Sequence, residues 1–95
     1  MQYRVSRRAK ADIEAVFREG IVRWGMFRAD AYYDDLFDAF SEIVEFPLAC
    51  RERPDVGAGL HVKVYRSHGI IYELNDGAPT ILRVVHGHYD WQNDL

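Results

Sequence analysis

Thr80-Ile81-Leu82-Arg83-Val84-Val85, an apolar run broken by one arginine, leads directly into His86-Gly87-His88-Tyr89-Asp90-Trp91. The first part is rich in β-branched residues and follows a turn signal, so it reads as a buried, central strand. The second part gathers two histidines, a tyrosine and a tryptophan. Each of these side chains meets a partner through both a ring and a polar tip. The rest of the chain reads as scaffold around this strand and its exit.

Upstream of that strand, Asn75-Asp76-Gly77 is a strong hairpin signal. It joins the last strand to another at Gly69 to Leu74. Arg66-Ser67-His68-Gly69 is a second turn, and before it Leu60-His61-Val62-Lys63-Val64-Tyr65 alternates strictly, as a half-buried strand does. Leu48 to Gly59 carries Pro54, Gly57 and Gly59 among charges and reads as a loop.

Two helical patterns precede the loop. In the first, Ala9, Ile13, Val16, Phe17 and Trp24 fall on one face, with Ser6 as N-cap and Gly25 as C-terminal stop. Gly20 interrupts that helix at a cost of about 1 kcal/mol relative to alanine, and a glycine there either admits close approach of a neighbouring helix or marks a weak point. In the second, Ala29, Tyr32, Tyr33, Leu36, Phe40, Ile43 and Val44 form one stripe opposite Asp30, Asp34, Asp35, Asp38, Glu42 and Glu45, and Pro47 ends it. So short a link folds the two helices into an antiparallel hairpin. Tyr3 to Ser6 alternates like a short edge strand.

The expected fold is therefore α+β: an N-terminal strand at the sheet edge, then a helical hairpin packed on one face of a small antiparallel sheet. Alternation separates the two sheet faces. Leu60, Val62, Val64, Ile70, Tyr72, Leu74, Leu82 and Val84 are assigned to the helix side. His61, Lys63, Tyr65, Ile71, Glu73, Ile81, Arg83 and Val85 are assigned to an open face, and a half-apolar open face marks a binding surface.

Ninety-five residues, 48% of them hydrophobic, make one globular domain, residues 1–95. The single cysteine, Cys50, excludes an internal disulfide and fits a reducing cytosol. No signal-peptide pattern opens the chain, and no stretch approaches transmembrane length. A net charge of −3 argues against a nucleic-acid binder that works by bulk electrostatics. His86 and His88 have the spacing that lets two imidazoles on a strand reach one metal ion, with His61, His68 and Asp90 as spare ligands. A zinc site needs three or four converging groups, and no convergence is visible, so neither metal nor cofactor is expected.

The order of elements resembles the ParE branch of the ParE/RelE toxin superfamily. The residues that carry this likeness are Tyr3-Arg4-Val5-Ser6-Arg7-Arg8-Ala9, the segment Ala29 to Leu36 after Trp24-Gly25, His68-Gly69-Ile70-Ile71-Tyr72, and Arg83-Val84-Val85-His86-Gly87 followed by Asp90-Trp91. The resemblance implies a cytoplasmic toxin of a bacterial type II toxin–antitoxin system. Such a toxin inhibits DNA gyrase by binding rather than as an enzyme, and a ParD-like antitoxin neutralises it. The expected contacts are His61, Lys63, Tyr65, Arg83, His86, His88, Tyr89 and Trp91.

The alternative is an RNA-cleaving toxin of the RelE branch, in which Lys63, Arg83 and His88 or Tyr89 would supply the base, acid and phosphate-binding cations. A degenerate toxin that only binds its antitoxin is a third class. Several of these residues also have plain structural readings. Arg83 pairs with Glu73 across the sheet, Tyr32 and Tyr33 pack, Trp24 caps the helical hairpin, and Trp91 either seals the core or anchors a partner.

Overall fold

The computed structural model describes residues 3–87. β1 (Arg4–Val5) precedes α1 (Arg7–Trp24) and α2 (Met26–Glu45). A loop then leads to β2 (Leu60–Tyr65), β3 (His68–Asn75) and β4 (Ala78–His86). The sheet order is β1-β4-β3-β2. β2, β3 and β4 form the expected antiparallel meander, whereas β1 lies parallel to β4, so the sheet is mixed. β4 is an interior strand, as its apolar run required.

The helices begin and end where local chemistry demands. Ser6 Oγ accepts a hydrogen bond from the Ala9 N–H at 3.0 Å, capping α1, and donates to the Leu82 carbonyl at 2.8 Å, tying that cap to β4. Gly25 is the only residue between the helices. Its φ of 89° and ψ of 166° fold the chain back in one step, in a region that only glycine occupies without strain. Gly20 sits against α2. A Cβ there would stand 3.3 Å from the Ala29 Cβ, so its missing side chain sets the close crossing of the helices.

The main core fills the space between hairpin and sheet. Ala9 and Ile13 come from α1, Leu36, Phe40 and Ile43 from α2, and Ile70, Tyr72, Ile81 and Val84 from the sheet. Each large aliphatic or aromatic side chain buried this fully contributes roughly 1.5–3 kcal/mol. A second, smaller cluster joins Val62, Ile71, Val85 and Leu60 to Val56 of the loop.

That second cluster corrects the assignment of faces. In the β2–β3 register His61 lies opposite Tyr72 and Lys63 opposite Ile70. Residues opposite one another share a face, and Tyr72 and Ile70 belong to the core under the helices. His61, Lys63 and Tyr65 therefore face the helical side, while Leu60 and Val62 face the other side under Val56. On the helical side the polar tips of His61 and Lys63 are answered locally. The His61 ring stacks on Tyr72 at 5.1 Å, and its Nδ1 donates to the Cys50 carbonyl at 2.7 Å. Lys63 Nζ lies 3.1 Å from Glu42 of α2. Tyr65 packs against the core.

In β4 the alternation itself breaks. Arg83 pairs with Ile71 and Ile81 with Tyr72, so Leu82 is the extra residue of a bulge. The bulge brings Ile81 to the helical side together with Val84.

Candidate functional site

Arg83 lies on the interior strand but is bonded to α1. Its Nε donates to Asp12 Oδ2 at 2.8 Å, and the Val84 N–H donates to the same oxygen at 2.9 Å. A second guanidinium nitrogen reaches Asp12 Oδ1 at 3.3 Å. β1 ends at Val5, so the margin of β4 needs other partners. Ser6 N–H bonds the Ile81 carbonyl, and Asp12 takes the Val84 N–H further along. Arg83 is only 8% exposed. Among the described residues its carboxylate partner is Asp12, not Glu73 as cross-strand pairing suggested.

Of the expected contact residues, His61, Lys63 and Tyr65 thus sit on the helical side and Arg83 in an ion pair at the sheet margin. His86 is exposed at the end of β4. His88, Tyr89 and Trp91 lie outside the described residues. The structure does not bring Lys63 and Arg83 together as free cations. Each is held by a carboxylate from a different helix. Among the described residues there is no cluster of three or more metal-ligating side chains.

The exit of β4 is instead the convergence point of the molecule. His68 opens β3 opposite His86 in the register, with the two rings 5.3 Å apart. The Tyr32 hydroxyl of α2 lies 2.6 Å from His68 Nδ1. The Arg66 guanidinium stands 5.6 Å from the Tyr32 ring and 5.4 Å from the Tyr65 ring, and bonds Asp35 at 3.1 Å. These contacts stabilise Arg66 in a left-handed turn conformation, φ 52°, that arginine rarely adopts.

Burial pushes the His68 pKa down, and neighbouring His86 lowers it further against a smaller opposing pull from Glu19. Burial raises the Tyr32 hydroxyl, partly offset by Ser67 and Arg66, and burial likewise raises Tyr65. The Tyr65 hydroxyl is buried without a hydrogen-bond partner among the described residues. Sequence patterning placed Tyr32 in the packing stripe, which is correct for its ring, but carried no signal for its contact with His68. That contact spans 36 positions.

Against known proteins, a family model described as "ParE toxin of type II toxin-antitoxin system, parDE" matches residues 3–91. The chain belongs to the ParE toxin family. Among curated relatives, Toxin ParE1 of Caulobacter vibrioides is 32% identical over 84 residues, covering 88% of this chain and 86% of the relative. Toxin ParE3 of the same bacterium is 28% identical, covering 86% and 82%. A solved structure titled "Chromosomal ParDE TA system from P. aeruginosa" superposes with a TM-score of 0.79 at 18% identity, covering 90% of this chain and 95% of the other. That likeness supports the fold of this ParE toxin: a helical hairpin on one face of a four-stranded mixed sheet.

Proposed function

We propose that this ParE toxin acts in the cytoplasm by binding DNA gyrase, without covalent chemistry of its own, and that a ParD-type antitoxin neutralises it. Family membership supports the toxin–antitoxin part. The observation that carries binding over RNA cleavage is the fate of the two cations that cleavage would require. Lys63 is paired with Glu42, and Arg83 with Asp12 and buried. A cation already neutralised by a carboxylate is poorly placed to stabilise the charge that develops on a phosphate.

The antitoxin surface in this reading is the outer side of the sheet and the edge of β2 past His61, beyond the loop residues Glu52 and Arg53 that pair with His61 and Leu60. Val64 there is 73% exposed, beside the Leu60–Val62 cluster. An extended segment that folds on binding suits such an edge. His86 and the residues that follow it, His88, Tyr89 and Trp91, are the target-facing candidates.

The test incubates purified toxin with gyrase, ATP and supercoiled plasmid, and scores linear DNA after detergent and protease. Linear DNA should appear only when toxin and gyrase are both present, and equimolar antitoxin should abolish it. Growth arrest by folded toxin that cleaves mRNA and yields no linear DNA would overturn the reading.

A further inference from the structure

The junction of α1 and α2 is apolar where a solvent-facing turn would ordinarily be polar. Val22 is 84% and Phe27 88% exposed, and Trp24 and Met26 are exposed beside them. These four side chains fall within six consecutive residues on either side of Gly25, so the abrupt chain reversal gathers them at one end of the hairpin. A groove of about 420 Å³ opens next to them, walled by Trp24, Phe27, Tyr32 and Arg66.

The rim is basic. Arg23 and Arg28 flank the apolar residues, and among the described residues neither makes an ion pair. Exposed tryptophan, phenylalanine and methionine beside arginine is the composition of protein interfaces rather than of free surface.

We propose that this hairpin tip is a docking surface for an acidic, apolar segment of a protein partner. A large side chain of the partner enters the groove beside Trp24 and Phe27, and carboxylates next to it meet Arg23 and Arg28. Charge complementarity selects this occupant. Away from the tip the charge turns acidic or mixed: α2 continues through Asp30, Asp34, Asp38 and Glu42, and α1 runs back through Glu19, Arg18 and Glu14. A short protein segment touches the tip alone, whereas an extended phosphate backbone would run on over those carboxylates. The choice of partners to test rests on the toxin–antitoxin reading given above.

Phe27→Ala and the double variant Arg23→Glu/Arg28→Glu change exposed residues, and circular dichroism with thermal melting checks that both fold. Affinity is measured for full-length toxin and both variants, separately against purified antitoxin and purified gyrase, at low and high salt. For at least one of these proteins each variant should lose about tenfold or more in affinity, and wild-type binding should weaken with salt.

Unchanged affinity of both variants for both proteins would overturn the proposal. So would tip-dependent binding to a single-stranded oligonucleotide with neither protein affected. Absence of gyrase-dependent linear DNA with wild-type toxin would defeat the gyrase reading alone, since the antitoxin measurement still decides this surface.

Discussion

Asp12 Oδ2 accepts hydrogen bonds from the Arg83 side chain and the Val84 backbone at once, so one carboxylate joins α1 to the interior strand. The two side chains are only 18% and 10% exposed, so water replaces little of what either would lose. Asp12→Ala takes this carboxylate from a buried cation and leaves the Val84 N–H without the acceptor it has here. Breaking such a pair from one side should cost about 3 kcal/mol. Glu14→Ala is the control. Its pair with Arg18 is exposed and 4.0 Å long, and its loss should change stability by less than about 0.5 kcal/mol. Urea unfolding of both variants reads the difference, and equal midpoints would refute the role given to Asp12. The sequence marked Arg83 as unusual by its place in an apolar run. It could not supply the partner, which lies 71 positions earlier on a helix, while Glu73 stood nearer along the sheet.

Among the elements, the reversal at Gly25 depends most narrowly on one residue. With φ at +89° and ψ at 166°, any side chain at this position is strained by about 1–3 kcal/mol, although nothing crowds it sterically. Gly25→Ala should therefore lower the melting temperature by roughly 4–8 °C for each kcal/mol in a domain of this size, and an unchanged melting temperature would count against this account. Gly25 and the Ser6 cap were legible because each acts within a few residues of itself. The side of β2 that faces the helices was not. Alternation separates Leu60, Val62 and Val64 from His61, Lys63 and Tyr65, but it does not say which set the helices cover. The apolar set was the natural choice, and it fails because α2 offers Glu42 to Lys63 while the loop brings Val56 to the opposite face. The β4 bulge at Leu82 escaped for a related reason: a one-residue shift leaves the composition of the strand unchanged.

At the scale of the whole molecule, the helices and the last two strands meet around His68, and this makes stability sensitive to pH. Tyr32 of α2 contacts its ring, His86 of β4 faces it, Glu19 of α1 exerts a weaker pull, and Ser67 precedes it. Burial and His86 lower the pKa in the folded chain, while the unfolded chain takes up the proton near the ordinary value of 6.5. The unfolded state therefore binds more protons below that point. The contribution of His68 is complete above pH 6.5 and is lost as pH falls towards the lower folded value. His68→Gln keeps a polar side chain but cannot titrate, so its stability should decline less than that of wild type between about pH 7.5 and pH 5.5. Urea midpoints across that range decide it, since parallel slopes for the two proteins would assign the acid sensitivity to other groups. Because His68 shares its neighbourhood with His86 and the strand exit, the same titration should loosen the end of the molecule proposed to face the target. Folding and target binding would then weaken over one pH range in wild type and separate in His68→Gln.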